Sequence, residues 1–260
     1  MTDAKLDYIG QAVLRGTLEV RTGLHIGAGK DTVEIGGIDN PVIKTPEGDP
    51  YVPGSSLKGK LRTLLEWAFG KVDPKGGPWT NASDTEDPIV RIFGTSAGNR
   101  DWIAGPTRLL LRDAHLDAAW RDRVLKEGRE LTEAKTEVTI DRIAGKAADG
   151  IGARQMERVP PGARFDFEAA FRIYSFNDDD GARDRACLAW LIQGLDLLEQ
   201  DALGGSGSRG YGYIRFKNLT IQTADAKPAQ LDNHFRGHVF SKKKPSEAIL
   251  NAVNEALGAG

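Results

Sequence analysis

The chain has 260 residues, of which 40% are hydrophobic and 28% charged, so it has enough apolar material for a globular protein of one or two domains. Its formal net charge of −2 excludes a generally polycationic protein. The single cysteine, Cys187, excludes an internal disulfide framework and a cysteine-rich zinc site, so we expect a reducing cytoplasmic setting and no zinc. No apolar run reaches membrane-spanning length, so we expect no membrane partner.

The first third of the chain predicts a strand, a glycine-rich loop and a helix. Residues 12–21 alternate apolar and polar side chains, which indicates a half-buried strand. The loop that follows contains two short extended runs, over 32–35 and 41–44. Leucines at helical spacing then predict a helix over 57–69.

The rest of the chain predicts a second series of strands and helices with two long interruptions. Residues 70–105 are rich in Gly, Pro, Asn and Asp, which indicates an insertion, with a short helix over 88–93. Residues 132–161 form two extended runs with too few apolar side chains for a core of their own, so we predict a projecting hairpin. The remaining predicted elements are strands over 107–116, 165–174 and 213–222, the last with a bulge near 217–218, and helices over 184–203 and 245–257.

The order strand–helix–strand–strand–helix–strand predicts an α+β fold of the ferredoxin-like, or RRM-like, kind. We expect residues 1–222 to form this palm, with the insertion at 70–105 and a thumb hairpin at 130–161, and residues 223–260 to form a C-terminal extension. In this topology the loop after the first strand, the thumb and the loop before the last strand leave the sheet at the same edge. The sequence therefore predicts one site built from these three segments.

Five glycines in nine residues mark the loop at 204–212, between the second long helix and the last strand of the palm. Glycines permit positive φ and close backbone approach, and successive exposed N–H groups in such a loop can bind an anion. A tight helix-to-strand turn is the alternative, although it needs only one or two glycines. We interpret the loop as a cradle for backbone phosphate, formed by Gly205, Ser206, Gly207, Ser208, Arg209 and Gly210.

The start of the first predicted helix is basic, because residues 51–65 contain three cations and no acid. Free N–H groups and the positive end of the helix dipole favour phosphate there. The expected phosphate contacts are Ser55, Ser56, Lys58, Lys60 and Arg62. Either serine could also cap the helix, and a capped amphipathic helix with solvated cations is the alternative interpretation. Two phosphate sites on one edge suit a polymer backbone better than a mononucleotide.

Asp39 and His25 lie in the loop after the first predicted strand and carry groups that could act on a phosphate. Asp39 could hold Mg²⁺ or another divalent ion beside a scissile phosphate, or assist in-line attack by an RNA 2′-hydroxyl. An Asx turn before Pro41 is the alternative. His25 could contact phosphate or act as a general acid–base, and a structural role is at least as good an interpretation.

Six stretches of the sequence resemble the RAMP superfamily and, more narrowly, the repeated backbone subunit of type III-A CRISPR effector complexes. They are residues 24–29, 35–43, 51–62 and 203–212, together with 136–142 and 154–158 in the place of that family's thumb. The resemblance covers residues 10–222, apart from the insertion at 70–105, and leaves the C-terminal extension outside.

The resemblance implies an RNA-binding filament of identical subunits along a guide CRISPR RNA, with thumbs that displace nucleotides at regular intervals. Asp39 matches the aspartate that such subunits need for metal-dependent cutting of target RNA. The matching thumb residues are Thr136, Val138, Ile140, Arg142 and Met156. The implied partners are guide RNA, target RNA, further copies of the chain, a large polymerase-like subunit, a small subunit and a subunit that caps the guide 5′ end.

Three functions stay open on the sequence. The leading hypothesis is a guide-RNA-binding filament subunit that is also an endoribonuclease for target RNA, selected by base pairing with the guide. The second is a structural RNA-binding subunit in which Asp39 only orders a loop. The third is a free-standing nuclease that processes guide RNA, which would need an acid–base pair and has no use for a long thumb.

Overall fold

The computed structural model describes residues 4–29, 38–81, 83–95, 102–148, 153–223, 227–232 and 234–258. In order, its elements are β1 (Leu6–Val20), α1 (Gly54–Phe69), α2 (Pro88–Phe93), β2 (Leu109–Leu111), α3 (Ala118–Lys126), β3 (Glu133–Glu137), β4 (Arg154–Arg158), β5 (Arg164–Phe176), α4 (Ala182–Gln200), β6 (Ile214–Gln222), β7 (Ala229–Gln230) and α5 (Glu247–Ala256). The short strand predicted over 32–35 lies outside the described residues. The run at 41–44 forms only isolated bridges, from Val42 to Gly27 and from Lys44 to Pro50.

Five strands form one antiparallel sheet in the order β2–β5–β1–β6–β7, and β3 and β4 form a separate two-stranded sheet. The helices α1 and α4 pack together over the large sheet. Four of its strands and these two crossover helices make the ferredoxin-like arrangement, so the predicted α+β fold class is confirmed. None of the helices in the described ranges combines the length and the apolar composition that a membrane crossing requires.

Pairing of the second predicted strand with β5 is interrupted, because Asp113 and Ala114 turn toward the start of α1 before Leu116 bridges to Phe165 of β5. Regular pairing with β5 covers only Leu109–Leu111. Asp113 then accepts a hydrogen bond from the Gly54 N–H at 2.7 Å, and Ala114 pairs with Val52 instead of with β5. One of the free donors at the start of α1 is therefore already used within the chain.

The helix α1 begins three residues earlier than predicted, and the predicted serine cap is wrong. Pro53 stands at the N-cap position and no side chain caps the helix. The backbone N–H groups of Ser56 and Leu57 donate to the Pro53 carbonyl at 3.0 and 3.2 Å. Both serines thus lie inside the first turn of α1, where Ser55 is exposed and Ser56 half-buried.

The predicted bulge in the last strand of the palm is present. The register between β1 and β6 shifts between Arg15 and Thr17, and on the facing strand Asn218 adopts a positive φ of 54°. A Cβ on Gly16 would come within 2.9 Å of the Lys217 carbonyl oxygen, so glycine allows the two strands to approach there.

The insertion packs into the domain through the predicted short helix, which appears as α2. All six residues of α2 are buried, and the Asp87 side chain caps this helix by accepting hydrogen bonds from Ile89 and Val90. The helix α3 was not expected. Two sequence features could have predicted it. Asp117 stands at the N-cap position, where its side chain accepts the Trp120 N–H at 2.7 Å, and Trp120 and Val124 lie four residues apart on one buried face.

The C-terminal extension also packs into the same hydrophobic core as the palm. Leu231, Phe235, Ile249 and Val253 are each 0% exposed and belong to the cluster that contains the buried faces of α1 and α4. The predicted terminal helix appears as α5, which packs on α4.

Asp184 at the start of α4 joins the insertion to the sheet through two buried arginines. Its carboxylate binds Arg91 of α2 and Arg108 beside β2, each at 2.8 Å, and accepts the Tyr174 N–H of β5 at 2.9 Å. Neither the carboxylate nor either guanidinium is more than 1% exposed. Removal of the one acid would leave two buried cations without a counter-charge.

We therefore expect Asp184→Asn to lower the free energy of unfolding by about 3–5 kcal/mol, measured by urea denaturation. The matched control is Asp178→Asn, which breaks an exposed ion pair with Lys5 and should change the free energy of unfolding far less. Equal losses in the two variants would contradict this account of the buried cluster.

Candidate nucleic-acid interface

The thumb strand β4 holds both Asp39 and His25 through its backbone. The Asp39 carboxylate accepts the Gln155 N–H at 3.0 Å, and His25 Nδ1 donates to the Glu157 carbonyl at 2.7 Å. Strand residues rise about 3.3 Å each, so the two anchor points lie about 7 Å apart. Because the partner of Nδ1 is a carbonyl, a neutral His25 carries its lone pair on Nε2.

The glycine loop packs directly on the segment that carries His25. The Gly205 N–H donates to the His25 carbonyl at 2.9 Å, and the Gly212 N–H donates to the Gly23 carbonyl at 2.9 Å. Gly204 has a φ of 77°, and a Cβ there would collide with the His25 carbonyl oxygen. The three segments expected at one edge are therefore in contact.

The middle of the glycine loop leaves donors free for a ligand. Residues Gly207–Arg209 form a single 3₁₀ turn, entered by Ser206 in the left-handed region at φ 60°. In the part of the chain that the structure describes, the N–H groups of Ser206, Gly207 and Ser208 have no acceptor. Gly210 has a φ of 83° and open space around its Cβ position. This arrangement suits a concave anion site, as the glycine content predicts.

Tyr211 fastens the glycine loop to the thumb. Its hydroxyl donates to Glu137 at 2.9 Å, and Arg209 binds the other oxygen of the same carboxylate at 3.1 Å. Burial and the neighbouring carboxylate raise the pKa of Tyr211, and the hydrogen bond from Tyr211 outweighs burial and lowers the pKa of Glu137. Glu137 therefore stays ionised and keeps both groups in place at neutral pH.

A groove of about 540 Å³ runs between the thumb and the glycine loop. Its lining includes the predicted thumb residues Thr136, Val138, Ile140 and Arg142, together with Lys135, Glu137, Thr139, Arg154 and Arg209. The lining contains four cations and one acid. Met156 of the thumb lies apart from this groove and forms a bridge with Asn40, beside Asp39.

The three cations of α1 have different surroundings. Arg62 is held within the chain, since it binds Glu66 at 2.8 Å and the Trp79 carbonyl of the insertion at 2.5 Å. Lys60 pairs at 3.0 Å with Asp201, which caps the C-terminal end of α4. Lys58 is half-buried, and no hydrogen bond or ion pair joins its ammonium to any described residue.

Lys58 is therefore the cation of α1 that is available for an anion. Burial and the charge of Arg62 both lower its pKa, which means that the folded chain disfavours the charged ammonium. A bound phosphate would compensate that cost. The predicted phosphate contacts of Lys60 and Arg62 stay predictions, and each would have to compete with a carboxylate of the chain.

Glu157 of β4 is a buried centre that the sequence motifs did not single out. One oxygen accepts the Val42 N–H at 2.9 Å, and the other binds Lys44 at 2.5 Å and the Thr132 hydroxyl at 2.6 Å. Burial alone would raise the pKa of Glu157, but these three donors outweigh it and lower that pKa. The carboxylate joins the loop that carries Asp39 to the base of the thumb.

Because its pKa is lowered in the fold, ionised Glu157 stabilises the protein above the unfolded-state pKa of 4.5, and this contribution is lost as pH falls through the folded-state pKa. We expect Glu157→Gln to cost roughly 2–3 kcal/mol in the free energy of unfolding at pH 7. The difference from the unsubstituted protein should shrink below pH 4.5. Glu127→Gln, at an exposed pair with Arg129, is the control and should show neither effect.

The described residues do not form a metal site from protein ligands alone. Among them, no group of three or more His, Cys, Asp or Glu side chains could hold an ion. Asp39 is exposed and its Oδ1 accepts no hydrogen bond from any described residue, so it can supply one carboxylate oxygen. Mg²⁺ is commonly held by one or two carboxylates together with substrate phosphates, and Asp39 fits only that kind of site.

Comparisons with known proteins agree with the motifs. The model of the RAMP superfamily matches residues 17–215. The protein named CRISPR system Cms endoribonuclease Csm3 from Methanocaldococcus jannaschii is 40% identical over 247 residues, which cover 95% of this chain and 91% of that protein. Its namesake from Streptococcus thermophilus is 42% identical over 226 residues, 86% of this chain and 92% of that protein.

A solved structure of a Csm3-containing complex is also similar to this chain. It is described as the Csm3–Csm4 subcomplex in the type III-A CRISPR–Cas interference complex, and it matches 96% of each chain with a TM-score of 0.53 and 28% identity. The chain therefore belongs to the RAMP superfamily and, within it, to the family of Csm3 endoribonucleases.

Proposed function

We propose that this chain is a guide-RNA-binding subunit of a type III CRISPR ribonucleoprotein and that it cleaves target RNA paired with the guide. One observation carries the proposal: Asp39, His25 and the glycine loop are held close together. Asp39 and His25 bind the backbone of β4, and the glycine loop binds the backbone carbonyl of His25. This arrangement puts a carboxylate beside donors that suit an RNA backbone. The relatives named Csm3 are called endoribonucleases, which supports the same reaction class.

Guide binding would rest on the backbone of the RNA. The free N–H groups of the glycine loop and the unpaired ammonium of Lys58 are suited to phosphate oxygens, which carry no base identity. The groove between thumb and glycine loop adds four cations. Such contacts hold any guide sequence, and base pairing between guide and target would then select the RNA to be cut.

In the cleavage step, Asp39 would orient the reacting groups at the scissile phosphate. A divalent ion held by Asp39 and by RNA phosphates would supply Lewis-acid stabilisation of the developing charge. His25 has Nδ1 fixed on the Glu157 carbonyl, so the protonated ring would donate from Nε2 to a phosphate oxygen and hold it in place. The exposed Asp39 oxygen that no described residue occupies supports this role.

Copies of the chain would assemble along the guide, together with other type III subunits. The thumb supports contacts of this kind, because Val138 and Ile140 are half exposed and Ile143 is fully exposed. Apolar side chains at the end of a projecting hairpin are suited to contact bases or the next subunit.

A second candidate function is a structural subunit without nuclease activity. The hydrogen bond from Gln155 N–H to Asp39 favours it, because this bond alone would explain an aspartate that orders the loop against the thumb. The two candidates differ in the effect of charge at Asp39. An asparagine oxygen accepts the same hydrogen bond but cannot stabilise a metal ion or a developing charge to the same degree.

We expect Asp39→Asn and Asp39→Ala to bind guide and target normally and to cut a guide-complementary RNA at least about 100-fold more slowly, since the charge acts on the transition state. A chelator should abolish cutting by the unsubstituted complex. The measurement is the single-turnover cleavage rate with Mg²⁺ and with EDTA, beside target affinity. If Asp39→Asn cuts target RNA at the full rate, the catalytic role of Asp39 is wrong and the structural function is the one supported.

For guide binding, we expect Lys58→Ala to weaken RNA affinity and to reduce the salt slope of binding by about 0.7, the loss of one phosphate contact. Its thermal midpoint should not fall. Arg62→Ala should instead lower the thermal midpoint, because Arg62 holds Glu66 and the insertion. If Lys58→Ala keeps the salt slope of the unsubstituted protein, Lys58 does not contact the RNA backbone.

A further inference from the structure

A second groove, of about 380 Å³, lies at the other end of the helical layer. It is bounded by the end of α1, by α2, by the first half of α4 and by the segment before α5. Its floor is apolar and includes Phe69, Pro88, Ala186 and Trp190. The indole N–H of Trp190 donates to the Ser241 carbonyl at 3.0 Å, which fixes the C-terminal extension as one wall.

The cations of this groove exceed the acids that face them. Lys71 and Arg183 are paired, with Asp87 at 2.7 Å and Glu86 at 2.5 Å. Lys242 and Lys243 line the groove, are exposed, and form no ion pair with any carboxylate in the described ranges.

A buried cation also lines the groove. Arg91 is 1% exposed, and its Nη2 has no hydrogen-bond acceptor among the described residues, although its other nitrogens bind Asp184 and the Thr85 carbonyl. Because Arg91 shares the single carboxylate of Asp184 with Arg108, the buried cluster has more positive than negative charge, and Nη2 of Arg91 remains a donor without an acceptor among the described residues.

The groove is separated from the RNA edge by the length of the helices. On α4, Ala186 precedes the last residue, Gln200, by 14 positions, which is about 21 Å along the axis. On α1, Phe69 lies 11 positions beyond Lys58, or about 16 Å. RNA held by the glycine loop and Lys58 would therefore not occupy this groove.

We propose that this groove binds an acidic peptide segment of a partner protein, in which an Asp or Glu stands beside an apolar side chain. The carboxylate would pair with Lys242 and Lys243, and the apolar side chain would cover the floor formed by Ala186 and Trp190. The acid Glu86 in the groove lining would repel a continuous phosphate chain more than a ligand with one or two carboxylates.

The test is fluorescence anisotropy of the full chain with a labelled peptide that alternates Glu and Leu. We expect Lys242→Ala and Lys243→Ala each to weaken binding at least about five-fold at low salt. Lys244→Ala is the matched control: it removes the same charge from the same run, but Lys244 pairs with Glu247 at 2.5 Å and lies outside the groove. It should change binding less than two-fold.

A second pair of variants tests the floor independently. Ala186→Glu places a carboxylate in the groove and should abolish peptide binding, whereas Ala186→Gln, of nearly equal size, should retain part of it. Equal weakening by Lys244→Ala would overturn the proposal. A labelled oligouridine of the same charge as the peptide serves as the second ligand. If Lys242→Ala weakens binding of the oligouridine more than binding of the peptide, the groove is a phosphate site and the proposal is overturned.

Discussion

The candidate site depends on the ionised carboxylate of Glu157 and on the strand that carries it. Glu157 is 4% exposed and collects three donors from two segments that are far apart in sequence, at Val42–Lys44 and Thr132. With this carboxylate in place, the neighbouring backbone of β4 is free to hold His25 and Asp39. A buried acid thus fixes the loop geometry, and the exposed acid beside it remains available for chemistry.

The glycine loop has both features that the sequence analysis gave as alternatives, a tight turn and a set of donors suited to phosphate. Gly204 and Gly212 serve the turn, because a Cβ at either would collide with a backbone carbonyl oxygen. The segment between them contains the unpaired N–H groups and the open space around Gly210. A rigid turn at both ends therefore presents a central stretch of donors, which lowers the entropy cost of binding an anion.

Much of the fold was predictable, because buried strands and helices leave regular apolar patterns, as on β1 and α4. For the site, the sequence predicted only that three loops lie at the same edge of the sheet. Sequence patterns do not show which charges are already paired, and so Arg62 looked equivalent to Lys58 although only Arg62 has internal partners. Glu157 was missed for a related reason, because its partners Lys44 and Thr132 are 113 and 25 residues away. The interruption of the second strand has the same cause, since Asp113 and Ala114 leave β5 to contact Gly54 and Val52.

The division of charge within the chain explains how a protein with a net charge of −2 can hold a polyanion. Most of its cations form ion pairs with carboxylates of the chain, as Arg91 and Arg108 do with Asp184. Among the described cations that form no ion pair, Lys58 lies at one end of the helical layer and Lys242 and Lys243 lie at the other, while Arg142 and Arg154 line the thumb groove. Local excess charge at these ends, and not the net charge, determines where an anionic partner can bind.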